Sequence, residues 1–210
     1  MRLSNMSSGI NNFERVGLIL LAAGGSSRMG SPKQLLMHGG RTLIRSAALA
    51  AIESGCRPVV VVIGAAAAHT RSELDDIEVD PVENPQWESG LGSSIVCGIN
   101  RLVATSPDAD GAVVMLCDQP RVGADHIRAL LLAARAVRAD IAASEYGEGL
   151  GVPAVFSRSL FDELAHIPAD RGAKRLIAGH RGPVARVPCP EAAADIDTPE
   201  DYRGILGSKL

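Results

Sequence analysis

Small residues and two basic side chains follow the first long apolar run of the chain. Residues 16–21 lead into Ala22-Ala23-Gly24-Gly25, and Arg28 and Lys33 stand shortly after this segment. Small residues let the backbone approach a ligand closely, and consecutive N–H groups can cradle anionic oxygens. The fork of an arginine and the point charge of a lysine both suit phosphate. The segment has the chemistry of a polyphosphate-binding loop, although a flexible turn with two solvated bases is the competing interpretation.

This loop departs from two common phosphate-binding patterns. A P-loop carries lysine directly after its last glycine, whereas Ser31-Pro32 separates Gly30 from Lys33. The dinucleotide-binding pattern G-x-G-x-x-G is also absent, because Gly24 and Gly25 are adjacent. The glycine spacing therefore argues against a Rossmann dehydrogenase.

Two acidic segments lie further along the chain. The apolar run 112–116 ends at Cys117-Asp118-Gln119-Pro120, and the second segment is Asp195-Ile196-Asp197-Thr198-Pro199. A carboxylate at the end of a central strand can hold Mg²⁺, which takes one or two carboxylates plus phosphate oxygens and waters. The alternative is that Asp118 caps the next helix or fixes a turn, and that Asp197 or Thr198 caps a helix with Pro199 in its first turn.

Apolar runs that alternate with amphipathic stretches predict the elements that position these residues. The predicted strands are residues 16–21, 59–63, 77–82, 112–116, 141–144, 152–156 and 184–187. The predicted helices are residues 43–54, 65–75, 93–102, 124–138, 159–165, 173–178 and 199–205. This alternation implies an α/β fold with a mostly parallel sheet and helices on both faces, in which ligands bind at the carboxyl ends of the strands. We expect a tail over residues 1–14 and one domain over residues 15–210.

Composition limits the classes of partner. The 210 residues carry 21 Lys and Arg against 24 Asp and Glu, a formal net charge of −3, and aromatic residues are only 3%. A mildly acidic, aromatic-poor chain is a poor candidate for binding nucleic acid. No apolar stretch approaches the ~20 residues that span a bilayer, and the first residues do not form a signal peptide. The four cysteines match neither a metal knuckle nor a disulfide framework, which favours a reduced, cytoplasmic location.

The segment LAAGGSSRMGSPKQLL resembles the signature L-x-(A/G)-G-x-S-x-R-M-G-x-x-K of nucleotidyltransferases. With N-P-Q-W at 84–87, C-D-Q-P at 117–120 and D-I-D-T-P-E-D at 195–201, the chain resembles the MobA/MocA-like NTP transferase family, and within it the molybdenum cofactor cytidylyltransferase group. Cys117 stands where this family usually has glycine. The resemblance implies a three-layer Rossmann-like fold of the nucleotide-diphospho-sugar-transferase type and transfer of NMP from an NTP to a phosphorylated acceptor, with release of pyrophosphate.

The resemblance also implies a set of site residues. Arg28, Lys33 and Asp118 would be catalytic, and Asp118 and Asp197 would hold Mg²⁺. The nucleotide would be bound by Leu21, Ala22, Ala23, Gly24, Gly25, Arg28, Lys33, Gly90, Ser93, Ser94 and Asp118. The acceptor would be bound by Gly151, Pro153, Asp170, Gly172 and Lys174, as in the G-x-P-x-x-F and G-D-x-G-A-R segments of the cytidylyltransferase group.

The substrates follow from the same resemblance. Ala22-Ala23-Gly24 is more similar to CTP users than to GTP users, so the expected donor is CTP and the expected acceptor is a molybdopterin. A molybdoenzyme or its chaperone could then be a protein partner. Two alternatives are a cytidylyltransferase for a sugar or polyol phosphate, which shares the element Pro32-Lys33-Gln34, and a non-catalytic module that binds nucleotide and delivers cofactor.

Overall fold

The computed structural model describes residues 13–147 and 149–207. Its strands are β1 (Val16–Ala22), β2 (Met37–His38), β3 (Arg41–Thr42), β4 (Val59–Ile63), β5 (Asp80–Glu83), β6 (Gly111–Leu116), β7 (Ile141–Tyr146), β8 (Gly149–Ser157) and β9 (Val184–Pro188). Its α-helices are α1 (Leu43–Glu53), α2 (Ala67–Ser72), α3 (Leu91–Thr105), α4 (Ala124–Val137), α5 (Phe161–Ala165), α6 (Ala173–Gly179) and α7 (Pro199–Gly207).

Seven of the strands form one sheet in the order β5-β4-β1-β6-β8-β7-β9. Every neighbouring pair is parallel except the two pairs that contain β8, which is antiparallel to both β6 and β7. Strands β1 and β4 are buried at every position, which explains why their sequences are uninterrupted apolar runs. Strands β2 and β3 form a separate two-stranded hairpin that the sequence patterns do not predict, since each has only two residues.

Helices cover both faces of the sheet and divide the core into two layers. One layer joins alternate residues of the central strands to α1 and α4, and includes Leu18, Leu20, Ala48 and Leu130. The other joins the intervening strand residues to α3, α5 and α6, and includes Ile19, Leu21 and Ile99. The predicted three-layer α/β fold with a mostly parallel sheet is therefore confirmed.

Several predicted elements differ from the structure at their boundaries. The helix predicted over 65–75 is the shorter α2, and the strand predicted over 152–156 is the longer β8. The helix predicted over 93–102 is α3, which begins at Leu91 and ends at Thr105. The strand predicted over 77–82 is β5, which begins only at Asp80. Among the described residues, no helix is both long and apolar enough to cross a membrane.

The predicted tail over residues 1–14 needs a correction at its end. Residues 1–12 lie outside the described residues, but Phe13 is fully buried in the core layer of α1 and α4. Its ring fills the space beside Gly111, where a Cβ atom would lie 2.6 Å from Phe13 Cδ1, and the Arg135 guanidinium donates to its carbonyl oxygen. The folded region therefore includes Phe13. The sequence does not predict this burial, because Phe13 is a single aromatic residue in a polar stretch.

Replacing Phe13 tests this correction. We expect Phe13→Ala to lower the free energy of unfolding by about 3–5 kcal/mol, because the substitution leaves a cavity in a closed core. Leu132→Ala is the matched control: Leu132 is 63% exposed, and its loss should change stability by no more than about 0.5 kcal/mol. Urea denaturation measures the free energy of unfolding of both variants. Equal stabilities would show that Phe13 does not belong to the folded core.

Candidate active site

The loop that follows β1 is held in place by the buried side chain of Gln34. The Gln34 amide nitrogen donates to the carbonyl oxygens of Ala22 and Gly24, at 3.1 Å each. The Ser26 hydroxyl accepts a hydrogen bond of 2.9 Å from the backbone N–H of Lys33. These contacts fold the segment back on itself, so that Lys33 returns to the end of β1 from which the loop departs.

Asp118 follows β6, the parallel neighbour of β1, and a backbone contact brings the second acidic segment beside it. The N–H of Ile196 donates to the carbonyl oxygen of Asp118 at 3.1 Å. The Ile196 side chain is fully buried with Leu43 and Ile205, which anchors this segment to α1 and α7. Asp197 is therefore held next to Asp118, although the two are far apart in the chain.

The start of α7 shows why Asp197 is free to face the loop. The Asp201 carboxylate accepts hydrogen bonds from the backbone N–H and the hydroxyl of Thr198, at 2.8 and 2.9 Å. The N–H of Asp201 in turn donates to the Thr198 hydroxyl at 3.2 Å. This reciprocal pair is a capping box with Thr198 as the cap, so the carboxylate of Asp197 is not used in capping.

The ammonium group of Lys33 lies between the two carboxylates. Lys33 Nζ donates to Asp118 Oδ2 and, at 3.1 Å, to Asp197 Oδ1. Arg28 reaches the other oxygen of Asp197 at 3.7 Å and is 72% exposed, whereas the Lys33 side chain is only 18% exposed. Burial alone would lower the pKa of Lys33, but the carboxylates, Asp118 foremost, raise it above its usual value, which favours the charged ammonium.

The carboxylates of Asp118 and Asp197 have the donor chemistry that a divalent metal needs. Asp118 Oδ1 is buried and has no hydrogen-bond partner, so it retains an unused acceptor site. The described residues contain no cluster of three or more His, Cys, Asp or Glu side chains that could hold a metal. A set of two carboxylates suits Mg²⁺, which completes its shell with phosphate oxygens and waters, better than a metal held by protein alone.

Cys117, which directly follows β6, is compatible with the site. Its side chain is buried, and burial followed by the neighbouring Asp118 carboxylate raises the pKa of the thiol above its usual value. A neutral thiol is a poor nucleophile. Cys117 therefore lines the site and is not a reacting group.

An open cleft of about 480 Å³ lies over these residues. It is lined by Asp197 and by every predicted nucleotide-binding residue except Ser93, namely Leu21, Ala22, Ala23, Gly24, Gly25, Arg28, Lys33, Gly90, Ser94 and Asp118. Ser93 does not line the cleft; its hydroxyl donates to the Gly90 carbonyl at 2.7 Å and accepts from the amide of Asn84 at 2.9 Å. Ser93 thus supports the turn before α3.

Several residues of the cleft were not predicted from the sequence as site residues. They are Gln34, Trp87, Glu88, Leu91, Leu116 and Cys117. Trp87 stands against the loop after β1, because a Cβ atom at Gly25 would lie 2.7 Å from its ring. The Trp87 ring therefore leaves no room for a side chain at position 25. The element Pro32-Lys33-Gln34 is the one sequence feature that draws attention to Gln34. It does not predict that the Gln34 amide binds the loop after β1.

The predicted acceptor residues lie outside this cleft. Gly151 and Pro153 are buried in β8, where the Pro153 carbonyl accepts from Ser144 at 2.6 Å. Asp170 and Gly172 belong to the turn before α6, and Lys174 is exposed on that helix. The structure therefore places them in two groups, and their role stays a prediction.

The turn 168–171, which contains Asp170, is attached to the start of α3 beside the cleft. The N–H of Gly92 donates to the Ala169 carbonyl at 2.9 Å. A Cβ atom at Gly92 would overlap the Pro168 carbonyl and lie 2.7 Å from that of Arg171. Gly90 has φ of 124°, which favours glycine, and a Cβ atom there would meet the Ala169 carbonyl. These two glycines join the cleft to the predicted acceptor turn.

The fold and the cleft together define a class of protein. The loop after β1 lacks the glycine spacing of dinucleotide sites, yet two cations and two carboxylates meet at its mouth, as transfer chemistry on a nucleoside triphosphate requires. The chain belongs to the family described as the MobA-like NTP transferase domain, whose model matches residues 18–184.

Similar proteins carry several names. The nicotine blue oxidoreductase of Paenarthrobacter nicotinovorans is 32% identical over 90% of this chain and 95% of its own length. The purine catabolism protein PucB of Bacillus subtilis (strain 168) is 31% identical over 88% of this chain and 92% of its own. A crystal structure of Rv0371C from Mycobacterium tuberculosis H37Rv, in complex with manganese, has 30% identity and a TM-score of 0.76, covering 93% of this chain and 100% of that one.

Gly92→Ala tests the contact between α3 and the turn 168–171. We expect this variant to lose about 1–3 kcal/mol of unfolding free energy, because the added methyl group displaces backbone carbonyls that cannot rotate away. Gly179→Ala is the control, since nothing lies within 4 Å of a Cβ atom there, and alanine is the better helix former. A Gly92→Ala protein as stable as Gly179→Ala in urea denaturation would show that the turn is not packed there.

Proposed function

We propose that this protein is a nucleotidyltransferase that transfers CMP from CTP to the phosphate of a molybdopterin-type acceptor and releases pyrophosphate. The observation that carries the proposal is the meeting of Lys33, Arg28, Asp118 and Asp197 beside the small-residue loop of the cleft. Two cations to bind a triphosphate and two carboxylates to bind its metal are what such a transfer needs.

The reaction requires no nucleophile from the protein. An oxygen of the acceptor phosphate forms a bond to the α-phosphorus of the nucleotide, and the bond from that phosphorus to the bridging oxygen breaks. Pyrophosphate leaves with the electron pair. Lys33 and Arg28 stabilise the negative charge that accumulates on the departing phosphates, and the cleft holds the reactants in line.

A divalent cation would be held by Asp118 and Asp197, and when bound it supplies neutralisation of phosphate charge. The buried, unpartnered Asp118 Oδ1 supports this assignment. The manganese complex of Rv0371C, a relative of similar length, supports a divalent cation in this family. We propose Mg²⁺ as the physiological ion.

The identity of both substrates rests on the residues that resemble cytidylyltransferases. Ala22-Ala23-Gly24 supports CTP as the donor, and the segments that contain Pro153 and Gly172 support a molybdopterin acceptor. A molybdoenzyme or its chaperone is the proposed recipient of the product. Transfer to a sugar or polyol phosphate is the nearest alternative, because it uses the same triphosphate chemistry.

A second alternative comes from the relative named as an oxidoreductase. Nicotinamide-binding folds place a glycine-rich turn directly between the first strand and its helix. Here β1 ends at Ala22 and α1 begins at Leu43, with the Gln34-bound loop and the hairpin of β2 and β3 between them. This arrangement favours the nucleotidyltransferase, and a reductase assay distinguishes the two.

A pyrophosphate-release assay tests the proposed function. CTP, GTP and ATP are each combined with Mg²⁺ and either molybdopterin or a polyol phosphate, and a parallel reaction follows oxidation of NADPH by nicotine blue. We expect release only with CTP and molybdopterin. Pyrophosphate release with the polyol phosphate and not with molybdopterin would show that the acceptor is a polyol phosphate. NADPH oxidation without any pyrophosphate release would contradict the proposal.

Asp118→Asn tests the role of the carboxylate in the same assay. We expect kcat to fall at least about 100-fold, because a neutral amide neither holds the metal firmly nor balances Lys33. Asp125→Asn is the matched control, since the Asp125 side chain is 97% exposed on α4. If Asp118→Asn is as active as Asp125→Asn, the Asp118 carboxylate has no role in the reaction.

A further inference from the structure

Lys33 occupies a position that a metal would also need. Its ammonium contacts one oxygen of Asp118 and one of Asp197, and these are the two carboxylates that would hold the divalent cation. The ammonium offsets one of the two negative charges, and the low exposure of the Lys33 and Asp118 side chains strengthens the attraction. In this state the space between the carboxylates is already filled by positive charge.

We propose that the Lys33 ammonium substitutes for the divalent metal in the nucleotide-free protein, so that metal binds together with triphosphate and not before it. This inference rests on the proposed function, because it takes Asp118 and Asp197 as the metal-binding pair. It goes beyond that function by giving Lys33 two successive positions and by setting the order in which the substrates and the metal bind.

The backbone around Lys33 is fixed, so the exchange requires only its side chain. The Lys33 N–H is bound by Ser26, and its carbonyl oxygen accepts from the Leu36 N–H at 3.1 Å. The next residue, Gln34, is buried and attached to the loop after β1 by two hydrogen bonds. The flexible stem of a lysine can swing its ammonium from the carboxylates to an anion in the cleft while this backbone stays in place.

The balance of charge decides when the side chain moves. In the structure described here Lys33 and Arg28 offset the charges of Asp118 and Asp197, and Asp195 is a third carboxylate near enough to interact with Lys33. A divalent cation that entered alone would meet two protein cations beside two carboxylates, and this is unfavourable at such short range. A triphosphate in the cleft supplies an anion for Lys33 and Arg28, which frees the carboxylates for the metal. Metal and triphosphate therefore increase each other's affinity, and the effect must be reciprocal.

Mn²⁺ binding, followed by the electron paramagnetic resonance signal of the free ion, tests the inference without any turnover. Wild type and Lys33→Met are titrated alone, with CTP and with inorganic triphosphate, and matched titrations without protein give the Mn²⁺ that each anion binds in solution. We expect wild type to bind Mn²⁺ weakly alone and at least about tenfold more tightly with either anion. Lys33→Met should bind Mn²⁺ alone at least about tenfold more tightly than wild type alone, because the competing cation is gone.

Two further variants separate the explanations. Arg101→Met removes a cation whose carboxylate partner is Asp80, which does not line the cleft, and should bind Mn²⁺ as wild type does. Lys33→Gln, which keeps a polar side chain, replaces Lys33→Met if circular dichroism shows that the methionine variant is unfolded. Equal Mn²⁺ affinity of wild type and the Lys33 variant, both without nucleotide, would overturn the inference and leave the proposed function intact.

A different result would implicate the proposed function itself. If Mn²⁺ fails to bind in every variant even with CTP, the metal assignment is wrong and the inference falls with it. If Asp118→Asn binds Mn²⁺ with CTP as tightly as wild type, the metal lies elsewhere, which also overturns the inference. We expect Lys33→Met to bind Mn²⁺ tightly without an anion and wild type to bind it tightly only with an anion. Neither a wrong metal assignment nor a metal site elsewhere would produce this pattern.

Discussion

The shared contact of the Lys33 ammonium with Asp118 and Asp197 is the interaction on which the site depends. It joins three segments that are distant in the chain: the return of the loop after β1, the end of β6 and the approach to α7. Parallel pairing of β1 with β6 places two of these segments at the same edge of the sheet. The contact between Ile196 and the Asp118 carbonyl adds the third. Buried apolar strands thus create a cluster of charges that no short segment could form.

The same edge of the sheet explains how the two halves of the molecule meet. The cleft is built on β1, β6 and the start of α3, whereas the predicted acceptor residues lie on β8 and before α6. Gly90 and Gly92 bring the turn 168–171 into direct contact with the start of α3. Under the proposed function this attachment would fix the distance between the donor and the acceptor, which is a large part of catalysis by positioning.

Much of this arrangement was predictable from the sequence, and the exceptions have physical causes. The uninterrupted apolar runs of β1 and β4 identify a parallel sheet, and residues 21–25 of the motif, with Arg28 and Lys33, do line the cleft. The burial of Phe13 is not predictable, because one aromatic residue carries no periodicity. The Ser93 hydroxyl is hydrogen-bonded to Asn84 and Gly90 in the turn and does not line the cleft. The direct contact of Lys33 with both carboxylates arises from tertiary packing, which a motif does not encode.

A crystal structure of the protein with Mn²⁺ and CTP, recorded at a wavelength that gives manganese anomalous scattering, tests the central claim most directly. The account predicts an anomalous peak between the carboxylates of Asp118 and Asp197, with the Lys33 ammonium moved onto the triphosphate. An anomalous peak elsewhere, or a bound triphosphate with Lys33 still between the two carboxylates, would contradict it.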